Sequence, residues 1–261
     1  MAHDHLIEML DLDAEVLHEY VRDLIGWVGR EAADRPRIVD LGAGSGTASL
    51  ALARELPGAT VTAVDIAPEM LAHLRGRADA AGLGDRIRTV EADLDQPWPD
   101  LGPTDLIWAA SSMHHMADPA DALASAFAAL RPGGLLVIAE LESFPRFLTG
   151  TVDEDVELRG HAEAAKRRHE AGMHMHENWG DRMSQAGFTS VTERHFDIDL
   201  RPPLPASAAR YAQVALGRMR HGLEGRLSPS DSAALERIVA GLIARDDLSV
   251  RTERTVWLAR R

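Results

Sequence analysis

The stretch RIVDLGAGSGTASLALA, Arg37–Ala53, decides how the chain is read. A short apolar run ends in the acid Asp40, three glycines follow at Gly42, Gly44 and Gly46, and a helical pattern begins at Thr47. A glycine loop between a strand and a helix often cradles a nucleotide, because backbone amides and the helix N-terminus face the ligand there. Taken alone, such a loop can also be a plain strand-to-helix turn. The spacing is G-x-G-x-G; the dinucleotide pattern G-x-G-x-x-G needs a third glycine at position 47, which is threonine here.

Outward from this loop the chain alternates. Arg37–Leu41, Thr60–Asp65, Ile87–Glu91, Leu106–Ala110 and Leu135–Glu140 read as buried strands. Thr47–Leu56, Pro68–Ala81 and Pro119–Leu130 read as the helices between them, and "RPGG" at Arg131–Gly134 predicts a turn into the fifth strand. This rhythm predicts a parallel sheet covered by helices on both faces, with ligands outside the carboxyl ends of the strands. Before the loop, Val16, Leu17, Tyr20, Val21, Leu24, Ile25 and Val28 fall at helical spacing and predict one helix over Asp13–Val28. After the fifth strand, Phe144–Met175 is polar and histidine-rich, and is expected to be helical in part and to cover the ligand edge. A helix at Trp179–Phe188, a strand at Thr189–Leu200, helices at Ala206–Leu223 and Pro229–Ala244, and a closing strand at Val250–Leu258 complete the pattern.

Composition narrows the function. The chain has 261 residues, 45% of them hydrophobic, enough for one domain, or one domain with a small subdomain. It has no apolar run long enough to span a membrane. The N-terminus, MAHDHLIEMLDLDAEV, is acidic and lacks the features of a signal peptide, so a cytoplasmic location is expected. With no cysteine there are no disulfides, thiolate nucleophiles or Cys-zinc sites. A formal net charge of −13 disfavours nucleic acid and anionic membranes as partners. A homodimer is compatible with everything the sequence shows.

Three acids follow three successive strands. Asp40 at the crevice would repel a pyrophosphate and suit a ligand carrying positive charge, such as S-adenosylmethionine (SAM), with its ammonium and sulfonium and no phosphate. Asp65 ends the second strand, where an acid accepts both hydroxyls of a ribose; alone, it would equally serve as a helix cap. Asp93, in VEADLD, can accept from an adenine amino group while the Leu94 N–H faces the ring.

The motifs VDLGAGSG, AVDIAPEML, EADLDQPW, DLIWAASSMHHMADP and LRPGGLLVIAE, in this order over Arg37–Glu140, resemble those of class I SAM-dependent methyltransferases of the small-molecule type. The resemblance implies an α/β, doubly wound Rossmann-like sheet of seven strands with the last one antiparallel, N-terminal helices and a helical substrate-side insertion. It implies a helical cap at 1–36, a SAM-binding core at 37–142, and a substrate-side helical region with the last two strands at 143–261. The cofactor-binding set it implies is Asp40, Gly42, Ala43, Gly44, Gly46, Asp65, Ile66, Asp93, Leu94 and Ser111, with S-adenosylhomocysteine (SAH) as the cofactor product.

Methyl transfer from a sulfonium needs alignment, exclusion of water and, for a hydroxyl or acidic carbon, a base. His114 and His115, after the fourth strand, are the candidates; either could instead be packing. The same segment lacks the Asn/Asp-Pro-Pro-aromatic motif of enzymes that methylate amide or adenine amino groups in macromolecules, which leaves a small-molecule substrate. His174, His176 and Glu177 lack a further ligand pattern, so no metal is expected. The leading expectation is methyl transfer to an O, N or C atom of a small metabolite in a biosynthetic pathway. A SAM-binding enzyme of cyclisation or rearrangement and a non-catalytic SAM-binding partner are the alternatives.

Overall fold

The computed structural model describes residues 2–261, with side chains from residue 5 onward. The strands are β1 (Arg37–Leu41), β2 (Thr60–Asp65), β3 (Ile87–Glu91), β4 (Thr104–Ala110), β5 (Leu130–Leu141), β6 (Thr189–Leu200) and β7 (Val250–Arg260). The helices are α1 (Ala2–Val16), α2 (His18–Glu31), α3 (Thr47–Glu55), α4 (Pro68–Ala80), α5 (Pro119–Ala129), α6 (Glu154–Glu170), α7 (Trp179–Gln185), α8 (Ala208–Gly222) and α9 (Pro229–Gly241). The strands form one sheet in the order β3-β2-β1-β4-β5-β7-β6. Parallel pairing links β3, β2, β1, β4 and β5 in turn. β7 runs antiparallel to β5: the Arg261 N–H donates to the Gly134 carbonyl, and the Glu142 N–H to the Glu253 carbonyl. The order reverses between β1 and β4, which makes their carboxyl ends the natural ligand crevice.

Two compact units make up the chain, and neither is continuous in sequence. His18–Glu140, His176–Phe196 and Thr255–Arg261 form the sheet unit. Its central strands β1, β2 and β4 are largely apolar because alternate residues enter two layers. Ile38, Val61, Leu106 and Val137 join Leu24, Ile25 and Val28 of α2, Leu50 of α3 and Leu74 of α4 in one layer. Val39, Leu41, Ile107 and Ile138 join Leu123 of α5 and Trp179 and Met183 of α7 in the other. Full burial of each such side chain contributes about 1.5–3 kcal/mol. At the opposite edge from the crevice, Asp105 accepts from the Arg37 N–H and Nε at 2.8 and 2.9 Å and pairs with Arg131 Nε at 2.7 Å, tying the starts of β1 and β5 to β4.

The N-terminal residues through Leu17, Leu141–Met175 and Asp197–Arg254 form the helical unit. Here α1 and α8 are joined by the Tyr211 hydroxyl, which donates to Asp13, and by Arg210, whose Nε donates to Glu8 at 2.7 Å. The carboxylate of the fully buried Glu157 on α6 accepts from the Phe147 and Leu148 N–H groups at 2.7 and 2.9 Å, which fixes the loop after β5. Ser228 caps α9, accepting from the Asp231 N–H at 3.0 Å.

Two elements differ from the sequence reading. Asp13–Val28 is not one helix; α1 ends at Val16 and α2 begins at His18. The apolar period is continuous because both halves are buried, but the chain passes from one unit to the other at this break. The Arg131–Gly134 segment is not a turn. β5 runs through it with a bulge: Thr104 pairs Leu130 while Leu106 pairs Leu135, and Gly133 takes φ +78° to absorb the extra length.

Gly46 at the start of α3 has φ +82°, and a Cβ there would lie 2.1 Å from Leu74 Cδ1. Left-handed strain and overpacking in a filled core each cost about 1–2 kcal/mol or more. Gly46→Ala is expected to lower unfolding free energy by at least about 2 kcal/mol, read from urea denaturation; an unchanged midpoint and slope would refute this packing account.

Candidate active site

The glycine loop closes on itself and on β2. The Ala43 N–H donates to the Val64 carbonyl and the Gly46 N–H to the Ala43 carbonyl, both at 2.9 Å. The Gly44 N–H donates to Asp65 Oδ2 at 2.7 Å. Gly42 has φ +65°, and its missing Cβ leaves room for Ser112, whose Cβ would otherwise be 2.6 Å away. The loop therefore lies against the end of β4. Gly46 gives α3 no side-chain cap, and the N–H groups of Thr47 and Ala48 have no intrahelical acceptor in reach.

The sequence reading expected Asp40 to face the crevice; its carboxylate is instead buried beneath this helix start against Ser49. It is 1% exposed and accepts from Ser49 Oγ at 2.6 Å and from the Ser49 N–H. Burial, with the nearby Asp65 charge adding to it, pushes its carboxyl up to about 7. Its charge is thus partial at neutral pH, which weakens its repulsion of a bound anion relative to a fully ionised acid.

Asp65 Oδ1 accepts from the Ala67 N–H at 2.9 Å, so the same carboxylate holds the start of α4 and the glycine loop. Each oxygen retains a lone pair for a further donor. Ile66 beside it is 62% exposed, a large apolar side chain presented at the crevice edge. Asp93 accepts from the Asp95 N–H at 3.0 Å, Leu94 packs on the second apolar layer, and its carbonyl accepts from Trp98 Nε1 at 3.1 Å. Asp95 in turn accepts from the Ala117 N–H at 2.8 Å, linking the loops after β3 and β4.

Past β4, Ser111 takes φ +52°, a strained setting for a residue with a side chain, and its N–H donates to the Ala139 carbonyl at 2.8 Å. The strain turns the chain into a short 3-10 turn, Met113–His115. His114 is buried and its Nδ1 lies 2.6 Å from Glu140 Oε2. Glu140, buried at the end of β5, also accepts from the Met113 N–H at 2.9 Å. His115 is exposed and its ring leans on that of His114, with centroids 4.1 Å apart. Partial desolvation, then the neighbouring His114, lower the His115 pKa below 6.5, against the opposing pull of Glu140 and Asp65. The imidazole is therefore neutral, and able to accept a proton, at pH 7.

Sequence reasoning named neither Ser49, Ser112 nor Glu140. Ser112 Oγ is buried with no hydrogen-bond partner among the described residues, an orphan polar atom beside the glycine loop. Glu140 carried a signal, an acid closing an apolar strand beside the two histidines, but strand order alone pairs β5 with β4. For a metal, no group of three or more His, Asp or Glu among the described residues is placed to hold an ion; Glu177 accepts from Arg182 Nε at 2.9 Å.

The chain matches a family model described as a methyltransferase domain over residues 38–134. Residues 38–134 thus resemble a methyltransferase domain. The cofactor of this family is SAM, and the site's features fit it: an uncapped helix start, an orphan hydroxyl, and backbone that glycine alone lets approach closely. The demethylmenaquinone methyltransferase of Thermus thermophilus is 41% identical over 117 residues, 44% of this chain and 52% of that protein. The release factor glutamine methyltransferase of Chlorobaculum tepidum is 42% identical over 98 residues, 36% of this chain and 33% of that protein. This chain thus spans about half or less of the length of the curated relatives it matches. Among solved structures, the YcgJ protein of Bacillus subtilis covers 91% of this chain and 97% of its own, at 16% identity and TM-score 0.54. The cyclase SpnF covers 92% of this chain and 80% of its own, at 20% identity and the same TM-score of 0.54. These likenesses establish the Rossmann-like fold.

Two outcomes are expected. A carboxyl whose folded pKa is raised contributes stability below its unfolded pKa, and that contribution is lost as pH rises through the folded value. On account of Asp40 with its pKa about 7, stability falls between about pH 4 and 7. Asp40→Asn flattens that dependence and is more stable than the native chain at pH 8, by urea titrations across pH; parallel curves for the two chains would rule this out. Removing an acid that receives charged hydrogen bonds costs about 1.5–3 kcal/mol for each one lost. Asp65→Ala therefore binds SAH at least about tenfold more weakly by calorimetry, and unchanged affinity would remove Asp65 from the site.

Proposed function

We propose that this chain moves the methyl group of SAM to an O, N or C atom of a small metabolite, in a biosynthetic pathway. The observation that carries the reading is the buried Glu140–His114 pair with His115 exposed beside it, at the strand end next to the glycine loop. In the bound cofactor the sulfonium makes the methyl carbon open to in-line displacement. The residues of this chain supply the rest. The α3 start, Asp65 and the loop after β3 (Asp93, Leu94) bind the cofactor. Glu140 holds His114 by Nδ1 and fixes the turn through the Met113 N–H. His115, neutral at pH 7, takes the proton from the accepting atom.

The acceptor is read as a small molecule on two grounds. The chain carries SSMHHM after β4 instead of the Asn/Asp-Pro-Pro-aromatic motif of enzymes that methylate amide or adenine amino groups in macromolecules. Relatives named for demethylmenaquinone and for ubiquinone biosynthesis O-methylation support small-molecule chemistry. We take residues 37–142 as the cofactor-binding part, 143–261 as the part that selects substrate, and 1–36 as a helical cap. A cytoplasmic enzyme, alone or as a homodimer, without nucleic-acid or membrane partners, agrees with the charge of −13.

The direct test is incubation with SAM and candidate metabolites, reading product mass. A product in which one hydrogen is replaced by a methyl group, a net gain of CH2, supports the proposal, and a rearranged product of unchanged mass overturns it. His115→Ala is expected to lower turnover on the order of 10²–10⁴-fold with SAH affinity nearly intact. Native turnover should fall as pH drops through the depressed His115 pKa, and Glu140→Gln should lower kcat with little change in SAH affinity. Near-normal turnover in both His115→Ala and His114→Ala would leave alignment as the source of catalysis.

A further inference from the structure

Acids outnumber bases in this chain, 41 to 28, and arginines of the helical unit find them readily. Arg159 pairs with Asp231, Arg210 with Glu8, and Arg226 with both Glu163 and Glu170. Arg168, near the C-terminal end of α6, does not. Its guanidinium carbon sits 3.9 Å from the centre of the Phe144 ring, and it makes no hydrogen bond or ion pair with any described residue. It is half-buried, and its neighbour Arg167 is a second cation, which donates to the Gly222 carbonyl at 2.8 Å. Burial and Arg167 both act against its charge.

A partly desolvated cation without a counter-ion is unfavourable in the free protein. The stack on Phe144 compensates in part and sets the plane of the guanidinium. It covers a face of the group and leaves the in-plane N–H donors, whose fork matches the two oxygens of a carboxylate or phosphate. The average field of a chain at −13 repels anions, so an anionic ligand needs a dedicated cation. Phe144 follows Glu140 by four residues, on the loop leaving β5.

We propose that Arg168, seated on Phe144, recognises an oxyanion ligand, carboxylate or phosphate, within the helical unit. The ligand class is an anionic small metabolite, and the part of the energetic cost of the bare charge that the stack does not offset is relieved when that anion arrives.

The test is thermal unfolding of the full chain and of Arg168→Met, with sodium benzoate, with inorganic phosphate and, separately, with SAH. The native chain is expected to gain stability saturably from one of the two anions, and Arg168→Met to lose that gain. A benzoate response assigns a carboxylate, and a phosphate response a phosphate. Without anions, Arg168→Met is expected to melt at or above the native temperature, because it removes an uncompensated charge. No anion response in the native chain, or an equal response in both chains, overturns the proposal; if Arg168→Met also melts lower, the stack on Phe144 is a structural anchor. SAH is expected to stabilise both chains equally, which separates a failed anion site from a failed cofactor reading. If SAH stabilises neither chain, the methyl-transfer reading falls, while the anion site is decided by the benzoate and phosphate arms alone.

Discussion

The structure of the sheet unit depends on one steric constraint. The chain leaving β1 must pass between Ser112 and Leu74, and neither gap admits a Cβ. Gly42 solves the first and Gly46 the second, and both hold positive φ angles that other residues adopt only under strain. Because the backbone is this close to its neighbours, it can give its Ala43 and Gly44 amides to Val64 and Asp65, and α3 can begin directly above Asp40. The loop is a packed part of the core as much as a binding surface. A ligand there meets amides whose positions are already set.

The acids around this loop divide their work by burial. Asp40 is inside, half-neutralised near pH 7, and serves the start of α3 through Ser49. Asp65 is at the boundary, where it organises two loop ends and keeps accepting capacity. Glu140 is inside again, but with histidine and amide donors in place. Similar carboxylates at strand ends thus do different things because their burial and the kind of donor reaching each one differ.

The strands and the glycine loop were legible in the sequence because a parallel sheet writes a strong signal: apolar runs punctuated by glycine and proline. β1, β2 and β3 have the bounds that the spacing predicts. The signal fails where local pattern does not carry spatial partnership. Val16 to Val28 keep one period while serving two cores, so the break at Leu17 is invisible. "RPGG" has turn chemistry, yet pairing with β4 and the edge contact of Gly133 and Gly134 with Arg261 hold it in the sheet as a bulge. At the site, residue types were readable and burial was not. The burial of Asp40 could not be read because its side chain is held by Ser49, nine positions away on a helix. The Glu140–His114 pair spans 26 positions and needs the adjacency of β4 and β5 to be seen.

The strand order β5-β7-β6 bears on how the sheet is assembled during synthesis. β6 ends at Leu200, and the strand that joins it to the sheet begins only at Val250. Throughout the emergence of α8 and α9 the five parallel strands can pair while β6 has no hydrogen-bonding neighbour. An unpaired strand edge invites association with other chains. Its composition answers that hazard: TERHFDID within β6 is dense in charge, and most of its residues are exposed even in the finished fold. The strand that waits longest for its partner is thus one that water can solvate in the meantime.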